Sequence, residues 1–383
     1  MSARPIELSA AEALDLRLAG QRLDRRVPAK TLLEVVSAIG GAQAQVASAA
    51  RLSLAARVTG VTDGVIERAL IEDRTLVKTW TMRGTLHLVP ARDLPFYAAV
   101  GGLLRIRYLD AWLARGGLNV RQAEEVGDDI VEALADGPLT RRGIAERVGD
   151  RHGKKARSWI EHSWGGIIRR PVYQGRVCFG PTRGTEVTFV RTDQWLAPGA
   201  AAMPVETVEA ELARRYLGAY GPATVRDFAY WAGFYAPEAR RMWERIVGEM
   251  TEVSVEGSRA FVLAAAVEGR RSGRGRRKPR AASAPHVRLL PHFDVYLLGH
   301  RAKDSVLAPA HYKKVFRTAG WVSPVVLVNG AIAGTWESER TEDELRIRFK
   351  PFRAFDRDTR TALEAEAEVL ASSLGRRARL RRA

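Results

Sequence analysis

Apolar positions recur at helical spacing over residues 9–18 and again over 29–41, with Ser9 placed to cap the first run and Gly40-Gly41 placed to stop the second. Residues 76–89 change to a stretch rich in Thr, Trp, Val and Leu that folds about Arg83-Gly84, which predicts two strands and a turn. Helices followed by a strand pair make a winged helix. The same order then recurs. Within 137–148 Thr140 caps a short amphipathic helix, a second helix is expected over 156–169, and strands at 173–180 and 187–190 flank a Gly/Pro turn. A third copy is predicted from 214–231, with Thr224 as a helix cap, and from strands at 253–255 and 259–263. Further on, 287–290, 325–329, 331–336 and 345–349 read as strands of a small sheet, with Asn329-Gly330 as a hairpin turn, and 357–374 reads as a final amphipathic helix.

These elements predict an α+β fold of three tandem winged-helix units followed by a C-terminal β-rich domain with a final helix. The expected divisions are 1–100, 101–198 and 199–268 for the three units, 269–285 for a basic linker, and 286–383 for the last domain with its basic tail. At 383 residues and 46% hydrophobic, the chain can bury sizeable cores in two or three domains.

Charge narrows the partner. Lys and Arg number 61 against 44 Asp and Glu, a net charge of +17 that favours a polyanion. Much of the excess sits in two acid-free stretches, one with Arg270, Arg271, Arg274, Arg276, Arg277, Lys278 and Arg280, the other with Arg376, Arg377, Arg379, Arg381 and Arg382. Each stretch is either a phosphate contact or a solvated charge run. The lone Cys178 excludes an internal disulfide framework and a cysteine-rich zinc site. The N-terminus lacks a signal-like apolar run and no stretch could span a bilayer, so a cytoplasmic protein with no membrane partner is expected. His87, His152, His162, His286, His292, His300 and His311 are scattered without metal-ligand spacing, and no glycine-rich phosphate loop occurs. Neither a metal nor a cofactor is expected.

The least ordinary stretch runs from Gly40 to Arg57, where Gln43 and Gln45 stand two residues apart among small apolar neighbours. A buried amide without partners costs about 1–3 kcal/mol, so such a pair asks for a reason. On the residues alone two readings stand: amides that satisfy backbone groups at a helix end, or amides that line a cavity. Together with Trp80-Thr81-Met82-Arg83-Gly84-Thr85-Leu86-His87, with 289–301 and with 326–336, this segment resembles the AlkZ-like (YcaQ-type) winged-helix DNA glycosylases, which carry a Gln-x-Gln or Gln-x-Asp motif. The resemblance covers about residues 33–336. It implies three winged helices and a β-rich domain in a C-shape around duplex DNA, with the Gln motif in the channel. Ala44, at a position usually aliphatic in the family, is the smallest residue that qualifies.

What the resemblance implies is a monofunctional alkylpurine DNA glycosylase. It would hydrolyse the N-glycosidic bond of bulky N7- or N3-alkylated purines, with interstrand crosslinks in range, in DNA repair or in self-resistance to a DNA-alkylating natural product. An alkylated purine is already cationic and leaves neutral, so the site needs a positioned water and electrostatics rather than a strong acid. Gln43 and Gln45 are the expected holders of that water. Arg83, His87, Arg169, Arg170, Arg276, Arg277 and Lys278 are the expected DNA contacts, with Trp159 and Trp164 where a second-unit helix would approach the duplex. His87 is equally readable as a structural histidine. Asp294 and His292 read better as packing or loop residues than as an acid-base pair. A lysine nucleophile is disfavoured, although Lys78 lies near Trp80. The partner is double-stranded DNA bearing alkylated purines, bound by a monomer with no obligate protein partner. The rival class is a non-catalytic winged-helix transcriptional regulator, since the fold alone licenses only DNA binding; a protein-interaction scaffold fits the charge poorly.

Overall fold

The computed structural model describes residues 5–162, 164–197, 203–268 and 284–383, so the expected contacts Arg276, Arg277 and Lys278 lie outside the described residues. The chain forms two compact units, 1–65 with 210–383, and 66–209. This division does not follow the boundaries expected near 100, 198, 268 and 285.

In the first unit Ser9 caps the helix Ala10–Gly20 through a reciprocal box with Glu12. The preceding residues form a strand, Ile6–Leu8, which pairs parallel to Met250–Val255, itself antiparallel to Ser258–Leu263. The last two strands are where the pattern predicts them. The first joins from the opposite end of the chain, which no local signal announces. Thr224 caps Val225–Ala232 with Asp227 as its box partner, as expected. That helix, with Val205–Tyr220 and Ala236–Glu244, gathers Tyr216, Tyr220, Phe228, Trp231 and Trp243 into one aromatic core.

The C-terminal sheet runs in the order Val287–Leu290, Val325–Val328, Ala331–Arg340, Glu344–Pro351, Arg377–Arg382. Asn329 and Gly330 make the hairpin turn at φ 51° and 84°. The helix Arg357–Ser372 lays Leu363, Ala367, Leu370 and Ala371 over the apolar face formed by Leu289, Trp336, Leu345 and Ile347. The basic tail is no loose appendage: it is an edge strand, parallel to Glu344–Pro351, with Arg379 opposite Arg346 and Arg381 opposite Arg348. Because successive side chains alternate, Ala378 and Leu380 face the helix while Arg379 and Arg381 face away.

In the second unit Leu76–Trp80 and Leu86–Pro90 form the predicted antiparallel pair, with Trp80 opposite Leu86 and Arg83 and Gly84 turning at φ 55° and 69°. Helices Leu94–Leu104, Ile106–Arg115 and Val120–Ala133 follow, then Arg141–Glu161, capped by Thr140 as predicted and broken at Gly153 (φ 79°). The helix expected over 156–169 ends at Glu161. Gly165 and Gly166 have φ of 95° and 45°, and a Cβ on Gly166 would stand 1.8 Å from the Trp159 carbonyl oxygen, so the chain turns there and restarts as Arg169–Tyr173. Short strands order as Leu139–Thr140, Thr188–Arg191, Val177–Phe179. Cys178 is buried in this sheet, and burial pushes its thiol up to about 12, which leaves it an inert core residue. Among the described residues no helix is long and apolar enough to cross a membrane.

Candidate active site

The helix Leu32–Ala38 is ended by Gly40 and Gly41, at φ 77° and 89°, whose N–H groups donate to the carbonyls of Ser37 and Val36. A Cβ on Gly40 would lie 3.1 Å from the Trp231 ring, so both conformation and space require glycine. The chain leaves this stop extended, carrying Gln43 in Ala42–Gln43, bends at Gln45 and Val46, and enters the helix Ala47–Ala55. No side chain caps that helix.

The two amides differ. Gln43 is 7% exposed and its carbonyl oxygen is buried with no hydrogen-bond partner among the described residues, whereas Gln45 is exposed. Ala44 between them is buried. An amide oxygen left without a donor is costly, so the helix-end explanation, in which both amides satisfy backbone groups, does not describe Gln43. The arrangement offers one inward acceptor and one amide open to a ligand.

What fixes the helix after the motif is a buried ion pair. Arg57, 0% exposed, donates through Nη1 and Nη2 to the two carboxylate oxygens of Asp294, each at 2.8 Å. Ser53 Oγ donates to Asp294 Oδ2 at 2.7 Å, the Tyr296 N–H to Oδ1 at 3.0 Å, and Arg57 Nε to the Gln21 carbonyl at 2.9 Å. Asp294 is thus a structural residue, as expected, and the helix it anchors begins two residues after Gln45. Arg57 escaped notice in the sequence, although a single charge closing a run of Ala, Ser and Leu was the available signal. His292 lies apart from this network, its Nδ1 3.0 Å from the Val322 carbonyl.

Within the second unit the expected DNA contacts separate. His87 is 1% exposed; its Nδ1 lies 3.0 Å from the Thr85 carbonyl and 2.8 Å from Thr81 Oγ1. Burial, then the charge of Arg83, lowers its pKa to about 3, so the ring is neutral at pH 7. Arg170 is also buried and is paired with Asp110, with Glu124 3.8 Å away. Arg83 and Arg169 do come together, both lining one cavity with Arg105, Tyr108, Trp112 and Trp164. Trp159 is partly buried edge-on to Trp112 at 4.6 Å, while Trp164 is exposed. Lys78 sits half-buried on its strand, its Nζ 5.3 Å from the Phe179 ring centre, and burial lowers its pKa. No group of three or more His, Cys, Asp or Glu side chains among the described residues could hold a metal ion.

Comparison with known proteins defines the class that this mixed α+β fold and its buried amide belong to. The sequence model of the AlkZ-like DNA glycosylases matches residues 36–372, and the chain belongs to that family. A relative from Streptomyces sahachiroi named as an interstrand DNA cross-link repair glycosylase is 35% identical over 354 residues, which are 89% of this chain and 90% of that one. The solved structure of Streptomyces sahachiroi DNA glycosylase AlkZ superposes with a TM-score of 0.82 at 32% identity, covering 99% of this chain and 100% of that one.

Proposed function

We propose that this DNA glycosylase releases bulky N7- or N3-alkylated purines from duplex DNA by water attack, in repair or in self-resistance to an alkylating natural product. The observation that carries the reading is the buried, partnerless carbonyl oxygen of Gln43. A water donating one O–H to that oxygen satisfies it and presents a lone pair to C1′ of the damaged nucleotide. As the C1′–N bond breaks, its electron pair neutralises the cationic base; the water oxygen bonds to C1′ and its proton passes to solvent. No acid is needed at the leaving group, in keeping with a motif of two groups that do not titrate. Gln45, exposed beside it, orients the sugar or a second water.

Arg83 and Arg169 supply phosphate contacts in this reading, and the outward arginines Arg379 and Arg381 add others. The grouping of helices and hairpins into three winged helices, and their C-shaped arrangement around the duplex, belong to the same proposal. The relative named for interstrand cross-link repair supports crosslinks as substrates here too. A crosslinked base cannot be fully extruded, and a motif whose second amide is exposed suits such a substrate.

The test is a duplex with one N7-alkylguanine, incubated with the protein and treated with mild alkali to cut abasic sites. The wild type should produce the cut, and the Gln43→Ala/Gln45→Ala variant should lose about 100-fold or more while still binding DNA. Borohydride should trap no covalent adduct; trapping that disappears in Lys78→Ala would replace the water by a lysine nucleophile. No abasic product from small or bulky adducts would leave a DNA-binding regulator.

A further inference from the structure

We propose that the cavity lined by Arg83, Arg105, Arg169, Tyr108, Trp112 and Trp164 holds one unstacked nucleotide of DNA, its base against the tryptophans and its phosphate on the arginines. The inference rests on the DNA-processing reading, and none of these side chains is among those argued to hold the attacking water. The cavity measures about 310 Å³ and has no acidic residue in its lining among the described residues. Arg169 is one of its lining residues. Its guanidinium lies 5.2 Å from the Trp80 ring centre, close against the Arg83-Gly84 turn, and its Nε is buried without a hydrogen-bond partner among the described residues. Arg141 Nε is likewise buried and unpartnered. Burial lowers the pKa values of Arg105 and Arg141, and the charge of Arg169 lowers both further. Like charges held together with unfilled donors are relieved by an anion, and a phosphate oxygen suits guanidinium geometry.

The aromatic side decides between a bare anion and a nucleotide. Trp164 is 68% exposed although it belongs to the cavity wall, so its indole face offers a large apolar surface to a ligand. Trp112, another lining residue, is held edge-on by Trp159 at 4.6 Å and by His162 at 5.2 Å. Stacking rings beside arginines are the recognition chemistry of single-stranded nucleic acid, since a base inside the duplex stack presents no face.

The experiment uses the full chain and a labelled eight-nucleotide oligothymidylate followed by fluorescence anisotropy. Trp164→Ala should weaken binding about tenfold and Trp164→Phe should restore most of it, because the ring face is what binds. Arg105→Gln should weaken binding and reduce the salt slope by about 0.7. Thymidine 5′-monophosphate should compete at lower concentration than inorganic phosphate. Unchanged affinity in Trp164→Ala, or equal competition by inorganic phosphate, would overturn the proposal, the latter leaving an anion site only. Gln43→Ala/Gln45→Ala should keep wild-type oligonucleotide affinity, so failure of the abasic-site assay and failure of this site are read separately.

Discussion

Asp294→Asn should destabilise the first unit more than any other single-atom change there. The carboxylate accepts four hydrogen bonds, two on each oxygen, from Arg57 Nη1 and Nη2, Ser53 Oγ and the Tyr296 N–H. An amide of the same shape has one oxygen and one N–H2, so in either orientation two donors meet a donor. Arg57 would also be left as a charge with no counterion, and its side chain has no exposed surface through which water could compensate. Removing one partner of a fully buried pair costs about 3–5 kcal/mol, roughly a fifth or more of a typical domain stability. Replacing both, as Arg57→Met with Asp294→Leu, removes the charge and its counterion together and should recover part of the loss, the Ser53 hydroxyl, the Tyr296 N–H and the Gln21 carbonyl still losing their partners. Urea unfolding of Asp294→Asn, Arg57→Met, Asp294→Leu, the double variant and the wild type, with hydrogen exchange at residues 47–55, measures both the cost and its location. The helix Ala47–Ala55 should lose protection first, with base release falling alongside. A single variant within about 1 kcal/mol of wild type, or a double variant worse than the sum of the singles, would refute the account.

Three further outcomes follow from the same geometry. His87 and His300 both have pKa values lowered to about 3, chiefly by burial, so between 6.5 and 3 the unfolded chain binds protons that the folded chain does not; stability should fall as pH drops through 6.5, by about 2 kcal/mol per histidine at pH 5, visible as a falling urea midpoint. A midpoint flat from pH 7 to 5 would show that neither is buried neutral. Gly40→Ala forces a Cβ into positive φ and against Trp231, and should cost about 1–2 kcal/mol and reduce activity through the Gln motif, an expectation a thermal melt with near wild-type midpoint would remove. Arg379→Gln with Arg381→Gln should lower duplex affinity at low salt and reduce the salt slope by about 0.9 for each phosphate no longer neutralised, measured by titration at several salt concentrations. An unchanged slope would take the tail strand out of the DNA-binding surface.

The sequence by itself determined the locally encoded parts of this protein. Ser9, Thr140 and Thr224 cap helices because a hydroxyl two or three residues ahead of free N–H groups is a short-range interaction. Arg83-Gly84 and Asn329-Gly330 turn because few residues tolerate positive φ. Family membership was legible as well, since the motif and its flanking strand lie in short contiguous stretches. Tertiary structure alone decided what depends on residues far apart in the chain. The strand Ile6–Leu8 has no sheet until Met250–Val255 arrives, and the arginine tail becomes a strand only because Glu344–Pro351 offers it an edge. Arg170 reads as a surface contact in sequence, where a polar side chain is assumed wet, and His87 as either a contact or a structural histidine; packing buries both and gives Arg170 a counterion, Asp110, sixty residues away. Gln43 went the other way. Its neighbours suggested a cavity, but only the folded chain shows an acceptor oxygen enclosed without a donor, because burial is a property of every element around a residue and not of the residue itself.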